Sequence, residues 1–342
     1  MMVYYKRSPF LFTYWNEDNK IILYNYNSYT KAIVTKQVMR ILEILSEWRS
    51  TEQIYDILNF DMKNLRKALN QLVRLKIIHK KPLSMKDTSF SGRARWDPVD
   101  LAMQRQRSYG GAYPMPLRLG KSPSPIKHVK GLYSVTLQKE SDKYNNDDKR
   151  TLQNVLEARR SIRNYSNNTY INVDSLSNFL YNSARIKKIF KSNEGTLTQR
   201  PYPSGGARYP LEIYVANNRI SDIQKGIYYY DPLRHKIILL NRSKNYQRKF
   251  NDFILQVQKP GQNREPDVIL IITAVFARTM WKYSNIAYSV IMSDLGCLYQ
   301  TMYLVATEMN LAPCPLGGTY ETLVRDWLNL NWFEESHVGT LC

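Results

Sequence analysis

The sequence predicts an α+β protein with two folded parts, and three observations support this prediction. A chain of 342 residues is too long for one small core. Hydrophobic residues at 43% and charged residues at 23% are near the averages of globular proteins. Helical and strand patterns alternate from residue 151 onward. We therefore expect domains at 1–82 and 151–342. The intervening 83–150 is rich in Pro, Gly, Ser, Lys and Arg, which predicts an extended linker.

The first 82 residues have the element order of a winged helix. Two apolar, aromatic-rich segments between residues 4 and 26 are separated by the turn-forming NEDNK, which predicts a hairpin. Apolar residues then recur at helical spacing over 35–48 and 62–75, and Thr51 is a candidate cap for a short helix ending near Leu58. KIIHKK follows as a candidate wing strand.

The residues from 151 onward carry the clearest helix and strand patterns. The apolar run VILIITAVF predicts a central strand buried on both faces. The longest predicted helix is apolar most of the way round, so we expect it to be buried, with a subunit interface as one candidate environment. The predicted helices are 151–160, 174–186, 243–257, 284–309 and 319–328, and the predicted strands are 211–217, 226–231, 236–240 and 267–276.

Composition argues against several functional classes. Three cysteines without a C-x-x-C pair and four scattered histidines predict neither disulfides nor a metal site. No apolar run is long enough for a membrane span, and the charged N-terminal segment does not resemble a signal peptide. We expect a cytoplasmic protein without a membrane partner.

The net charge of +20 favours an acidic partner, because such a field concentrates anions around the protein. The basic residues are spread along the chain, however, and an A+T-rich coding bias explains them equally well. An acidic leader peptide or carrier protein suits this charge as well as DNA does.

Three motifs carry candidate chemistry, and the first is ARRSIRNY. Three guanidinium groups and a hydroxyl within five residues form a candidate phosphate grip, because the arginine fork matches phosphate oxygens. An exposed basic face is the alternative. The residues concerned are Arg159, Arg160, Ser161 and Arg163.

The second motif is RPYPSGGARYP, in which Gly205 and Gly206 follow Ser204. Two glycines allow close approach of the backbone to a planar ligand, and the alternative is an ordinary loop. The third motif begins at Lys282 and Tyr283, between the predicted central strand and the longest helix, and continues to Gly318. An ammonium beside a phenol stabilises the phenolate and gives a usable base. A surface Lys-Tyr pair is the alternative.

In this order the three motifs resemble the SagB/ThcOx-type dehydrogenases, which are the azoline-oxidising branch of the FMN-dependent nitroreductase fold. The resemblance extends from about Leu152 to Gly339 and implies a nitroreductase-like FMN-binding domain behind the winged-helix-like domain. It implies that Lys282 and Tyr283 form the catalytic dyad. It also implies contacts with FMN from Arg159, Arg160, Ser161 and Arg163 at the phosphate and ribityl, and from Pro203, Ser204, Gly205, Leu316, Gly317 and Gly318 at the flavin.

The resemblance implies FMN-dependent oxidation of thiazoline or oxazoline rings to thiazoles or oxazoles in a peptide natural product. The substrate is then tethered to a peptide or a carrier protein, the enzyme is a homodimer with FMN at its interface, and a cyclodehydratase is a candidate partner. Dioxygen is the expected electron acceptor, because no G-x-G-x-x-G dinucleotide motif follows a strand.

Several alternatives remain open at this stage. A general FMN nitroreductase, or a dehydrogenase of another peptide bond or ring, would use the same cofactor. The front domain favours peptide recognition over nucleic acid, but a DNA-binding redox regulator is the alternative from a different class. Its phosphate contacts would come from Lys63, Arg66, Lys67, Arg74 and Lys76.

Overall fold

The chain forms two compact units, Met1–Tyr113 and Pro114–Cys342, in a computed structural model. Each unit has its own hydrophobic core. The structure describes residues 3–26, 28, 30–82, 99, 103, 120–138, 150–241, 245–257, 263–283, 286–316 and 321–342.

The predicted hairpin is confirmed, because Leu11–Trp15 pairs antiparallel with Ile21–Asn25 across NEDNK, but unit 1 contains two small antiparallel sheets. The segment YYKRSPFLFTY splits into β1 (Val3–Arg7) and β2 (Leu11–Trp15), which belong to different sheets. The break falls at Pro9, which has no N–H for a strand ladder. The strand orders are β5-β1-β6 and β2-β3-β4, with β3 Ile21–Asn25, β4 Thr30–Val34, β5 Arg49–Ser50 and β6 Ile78–Pro82.

Three helices complete unit 1, in the order that the sequence predicted. They are α1 (Lys36–Ile44), α2 (Thr51–Leu58) and α3 (Met62–Arg74). The cap of α2 is Ser50 and not Thr51: the Ser50 hydroxyl accepts from Gln53 N–H, and the Gln53 side chain accepts from Ser50 N–H. The helices bury a shared apolar core, and β6 follows as the expected final strand. The winged-helix assignment stays a prediction.

Unit 2 is built on a seven-stranded antiparallel sheet with the order β14-β15-β13-β10-β11-β12-β7. The predicted central strand is confirmed, because β13 is buried along almost its whole length. A separate hairpin, β8–β9, lies outside this sheet. The strands are β7 Tyr133–Thr136, β8 Lys188–Ser192, β9 Gly195–Gln199, β10 Leu211–Asn217, β11 Gly226–Asp231, β12 Lys236–Asn241, β13 Val268–Val275, β14 Pro315–Leu316 and β15 Glu335–Leu341.

The boundaries expected for the linker differ from the structure. Residues 120–138 belong to unit 2, and β7 pairs with β12 at one edge of the main sheet. Tyr133 of this strand is half-buried, and its hydroxyl lies 2.9 Å from that of Tyr228. The edge position explains why composition did not reveal it, because one polar face of β7 remains in solvent.

Helices cover both faces of the main sheet. One face packs against the core that includes the long helix, and the other packs against two shorter helices near the C-terminus. Within the described residues, no helix is long and apolar enough to cross a membrane. The helices are α4 Leu152–Ala158, α5 Val173–Ala184, α6 Tyr246–Val257, α7 Phe276–Tyr283, α8 Ala287–Glu308 and α9 Glu321–Leu328.

The transition from β13 to the long helix differs from the prediction. A separate helix, α7, lies between them and ends on Lys282 and Tyr283. The long helix α8 buries nine of its 22 residues and exposes four, including Tyr288, so the predicted burial holds for only part of the helix.

His337 makes the stability of unit 2 depend on pH. It is buried in β15, and burial lowers its pKa to about 4 from an ordinary 6.5, although its contact with the Gly339 carbonyl opposes this shift. The unfolded state therefore takes up a proton before the folded state does as pH falls. We expect the free energy of unfolding to drop by about 3 kcal/mol between pH 6.5 and 4 through this residue.

Chemical denaturation of wild type and His337→Gln across this pH range tests the expectation. The variant should lose most of the His337 component of the pH dependence, whereas His128→Gln, at an exposed position, should keep it. Equal pH dependence in wild type and His337→Gln would contradict the assignment.

Candidate active site

The site is centred on the turn that precedes β10. Ser204 leads into a single 3-10 turn over Gly205–Ala207, in which Gly206 has a φ of 58°. The turn is anchored to α8 through Asp294. The Ser204 hydroxyl donates to Asp294 Oδ2 at 2.6 Å, and Gly205 N–H donates to Asp294 Oδ1 at 2.9 Å. Both carboxylate oxygens of Asp294 therefore hold the P-S-G-G motif.

Asp294 lies in an apolar environment. Burial raises its pKa above the ordinary value, while the hydrogen bonds from Ser204 and Gly205 oppose this shift. An ionised carboxylate remains acceptable here because it accepts charge-directed hydrogen bonds at both oxygens. Ser204 and Gly205 of the turn are the hydrogen-bond donors to Asp294. These two hydrogen bonds take the place of the water that the carboxylate loses on burial.

Lys282 and Tyr283 lie against this turn, at the C-terminal end of α7. A Cβ placed on Gly206 would lie 2.8 Å from Tyr283 Oη and 3.2 Å from Lys282 Nζ. A Cβ on Gly205 would lie 2.4 Å from Val290 Cγ1. Side chains of the same protein, including the Lys-Tyr pair, therefore occupy the positions that a Cβ would take, and the approach of the glycines to a planar ligand stays a prediction.

The ammonium of Lys282 has a carboxylate partner. Lys282 Nζ lies 2.7 Å from Glu194 Oε2, and Arg208 Nη2 lies 3.2 Å from the same oxygen. Glu194 belongs to the turn of the β8–β9 hairpin, so this segment joins the site. Glu194 therefore connects Lys282 of the Lys-Tyr pair to Arg208. The Lys-Tyr pair is not a surface pair without charged partners.

A buried ion pair fixes the helix that carries Lys282 and Tyr283. Arg278 Nη2 lies 2.6 Å from Glu212 Oε1, and both side chains are at most 3% exposed. Arg278 also donates to the Tyr209 carbonyl at 2.9 Å, and the Tyr229 hydroxyl donates to Glu212 at 2.8 Å. These contacts connect α7, β10 and the end of the P-S-G-G turn.

The R-R-S-x-R segment follows α4 and lies against a different part of α8. The Arg159 guanidinium is 5.1 Å from the centre of the Tyr303 ring, and the Ser161 hydroxyl is hydrogen-bonded to the Tyr303 hydroxyl. Arg160 and Arg163 are exposed. Exposed guanidinium groups fit a phosphate ligand, since they are available to an anion from solvent.

The two motifs contact opposite sides of α8. Asp294 and Tyr303 are nine positions apart, which corresponds to about 13 Å along the helix and to about half a turn around it. The R-R-S-x-R segment and the P-S-G-G turn of one chain therefore contact α8 on opposite sides.

The remaining predicted residues have mixed outcomes. Pro203 is exposed beside the turn, and Leu316 lies in β14, where it pairs with Thr340 and packs on the core beneath α6 and α9. Gly317 and Gly318 lie outside the described residues. The three cysteines are free, and the described residues contain no cluster of His, Cys, Asp or Glu that would bind a metal ion.

The sequence prediction missed Glu194, Arg208 and Asp294. Asp294 had a usable signal, because it is the one charged residue among the first twenty-one positions of an apolar helix. Arg208 stands two positions after Gly206 and was within the quoted motif. Glu194 had no local signal, since only the folded hairpin turn brings it to Lys282.

Gly206→Ala tests the packing of the turn. The new methyl group would meet Tyr283 Oη and Lys282, and alanine would be strained at a φ of 58°. Gly120→Ala is a matched control, because Gly120 has a φ of 74° and open space around its Cβ position.

We expect both variants to lose about 1 kcal/mol of unfolding free energy from the backbone, and Gly206→Ala to lose a further ~1–3 kcal/mol from the contact. Chemical denaturation gives both values. Equal losses in the two variants would mean that Tyr283 and Lys282 do not fill the space at Gly206.

Comparison with known proteins identifies the family. The model of the nitroreductase family matches residues 156–342, a region that contains every candidate site residue. A Methanocaldococcus jannaschii protein named "Putative nitroreductase MJ1384" is 29% identical over 52% of this chain and 84% of its own length.

Two further relatives are named as processing proteins, one of microcin B17 and one of trifolitoxin. The microcin B17-processing protein McbC of Escherichia coli is 24% identical over 49% of this chain and 60% of its own length. The trifolitoxin-processing protein TfxB of Rhizobium leguminosarum is 26% identical over 46% of this chain and 42% of its own length. The chain thus spans less than two thirds of both processing proteins.

A solved structure of the E. coli microcin synthetase McbBCD complex aligns with 73% of this chain and 94% of its own matched chain, at 19% identity and a TM-score of 0.45. The match to the family model covers more than half of the sequence and agrees with the α+β fold of unit 2. The chain therefore belongs to the nitroreductase family, as the order of its three motifs predicted.

Proposed function

We propose that this nitroreductase-family oxidoreductase is an FMN-dependent dehydrogenase that converts thiazoline or oxazoline rings in a peptide-derived substrate into thiazoles or oxazoles. The observation that carries the proposal is the convergence of Lys282 and Tyr283 on Gly206 of the P-S-G-G turn. Relatedness to two proteins that process peptides, of microcin B17 and trifolitoxin, supports the choice of a peptide substrate.

The residues present fit FMN at its anionic end. Arg160 and Arg163 expose guanidinium groups, and Ser161 adds a hydroxyl on the same segment. We assign these residues and Arg159 to the phosphate and ribityl, and Pro203, Ser204, Gly205, Leu316, Gly317 and Gly318 to the surroundings of the flavin ring. When bound, FMN would supply the two-electron acceptor for the ring, and dioxygen is the proposed final electron acceptor.

Aromatisation of an azoline removes two hydrogens, one as a proton and one as a hydride. The proton on the carbon next to the imine and carbonyl groups is acidic, and in our proposal the Tyr283 hydroxyl oxygen, as phenolate, accepts it. Lys282 stabilises that phenolate through its positive charge. The turn holds both groups at one place, so substrate binding needs no rearrangement of the pair.

The opposite placement of the two motifs on α8 supports a homodimer. If the R-R-S-x-R segment and the P-S-G-G turn contact the same FMN, one protomer cannot supply both through α8. A second copy would then supply one of them, and each site would be shared. A cyclodehydratase partner is consistent with the reaction, because such an enzyme must make the azoline first.

Unit 1 is proposed to bind the peptide part of the substrate. In the described part of the chain, the strand order β5-β1-β6 ends at β6, and we propose that the peptide adds as a further strand at a sheet edge of this unit. The surplus of basic residues suits an acidic peptide.

The first test is an absorbance spectrum of the purified protein, followed by release and identification of any chromophore. We expect bands of an oxidised flavin and release of FMN. A colourless protein that does not take up added FMN would overturn the proposal.

The second test measures thiazoline oxidation by Tyr283→Phe and Lys282→Met. We expect each variant to lose at least about 100-fold in kcat, because the base or its electrostatic partner is absent, while FMN binding persists. Tyr288→Phe, at an exposed position of α8, should retain activity. Full activity in both test variants would refute the dyad.

A general nitroreductase is the second candidate, favoured by the Methanocaldococcus jannaschii relative, of which the chain covers the larger share. It predicts NAD(P)H-driven reduction of a nitroaromatic probe. Rapid reduction of the probe together with no oxidation of any thiazoline peptide would favour this candidate over the azoline dehydrogenase.

A further inference from the structure

The β8–β9 hairpin ends in a rigid turn at the site. The turn residue Gly195 has a φ of 97°, which favours glycine. The Ser192 hydroxyl accepts from Glu194 N–H and donates to the Gly195 carbonyl, both at 3.1 Å. The backbone of Glu194 is therefore fixed although β8 is exposed along its whole length.

The side chain of Glu194 is fixed as well, by a buried cation. Arg208 has a side chain only 2% exposed and donates to Glu194 Oε2 at 3.2 Å. Arg208 is itself held by the Ser122 hydroxyl at 2.6 Å and by the Gly206 carbonyl at 3.2 Å. Its guanidinium also lies 5.2 Å from the centre of the Trp281 ring. Arg208 has little freedom to move, so it orients the carboxylate.

The oriented carboxylate meets Lys282. The 2.7 Å contact between Lys282 Nζ and Glu194 Oε2 is a charge-assisted hydrogen bond between side chains that are about one-fifth exposed. A lysine side chain has four rotatable bonds and does not hold one position unaided. Glu194 supplies the contact that keeps the ammonium beside Gly206 and Tyr283.

We propose that Glu194 is a positioning residue for the reaction, which places the Lys282 ammonium next to the Tyr283 hydroxyl. The inference rests on the proposed function of the Lys-Tyr pair. It adds the β8–β9 hairpin to the machinery, as an element that contributes an acid to the site without contributing to the core of unit 2.

The charges around Lys282 determine how a variant should behave. Glu194 faces it from the hairpin, Arg208 lies behind that carboxylate, Tyr283 is its neighbour on α7, and Asp294 faces the same turn from α8. Glu194→Gln would leave two positive charges without their shared counter-ion. The Lys282 side chain would then lose the contact that holds it beside Tyr283, so activity should fall.

The test compares Glu194→Gln, Glu194→Asp and the control Glu334→Gln in the full chain reconstituted with FMN. Glu334 is an exposed glutamate of unit 2. Glu334→Gln therefore makes the same chemical change as Glu194→Gln, at a residue that does not contact Lys282 in the ion pair described above. We expect Glu194→Gln to lose roughly 10-fold to 100-fold in kcat with little change in KM. Glu194→Asp should recover part of kcat, and Glu334→Gln should match wild type.

A second readout does not use activity. A brief pulse of acetic anhydride, followed by mass spectrometry of the peptides, measures how fast the Lys282 amine is acetylated. Lys282 should react several-fold faster in Glu194→Gln than in wild type, because the contact with Glu194 Oε2 no longer holds the amine in place. An exposed lysine such as Lys191 provides the internal reference.

The two hypotheses fail in different ways. If wild type oxidises no azoline but Lys282 labelling rises in Glu194→Gln, the proposed function fails while the contact stands. If wild type is active and Glu194→Gln shows unchanged kcat and unchanged labelling of Lys282, only the positioning role of Glu194 is refuted.

Discussion

The buried ion pair between Arg278 and Glu212 fixes the geometry of the site. Arg278 precedes Lys282 by four positions on α7, and residues four apart share one face of a helix. Glu212 lies at the start of β10, and Arg278 also binds the carbonyl of Tyr209 just after the P-S-G-G turn. The Arg278 guanidinium thus fixes the position of α7, which carries the Lys-Tyr pair, relative to the P-S-G-G turn. Loss of one partner would leave a charge buried without its counter-ion, which typically costs several kcal/mol.

A second acidic residue, Asp294, fixes the P-S-G-G turn to α8. It sits in an otherwise apolar helix and uses both oxygens on Ser204 and Gly205. The buried carboxylate of Asp294 and the polar groups of the turn are hydrogen-bonded to each other. Replacing either partner would leave buried polar atoms without hydrogen bonds, so we expect such a replacement to be destabilising. The turn is therefore held between α7 and α8, and its glycines are needed because side chains from both helices occupy the space that a Cβ would take.

The sequence predicted what depends on local pattern. The central strand β13, the strands β10 and β11, and the three motifs could be found because periodicity and composition are visible over short segments. The edge strand β7 and the hairpin β8–β9 were missed, since they are largely exposed and bury no continuous apolar face. Glu194 and Arg208 were missed as site residues because their pairing depends on tertiary structure. The helix α7 was missed because its apolar residues continue directly from β13.

The separation of these partners along the chain has a consequence for how the protein is made. Glu194 and Lys282 are 88 positions apart, and Gly205 is 89 positions from Asp294. Synthesis proceeds from the N-terminus, so the hairpin and the turn leave the ribosome well before the helices that hold them. The nascent protein therefore carries an unfinished reaction centre until most of unit 2 has emerged. The proposed catalysis therefore has to wait until α8 has been synthesised.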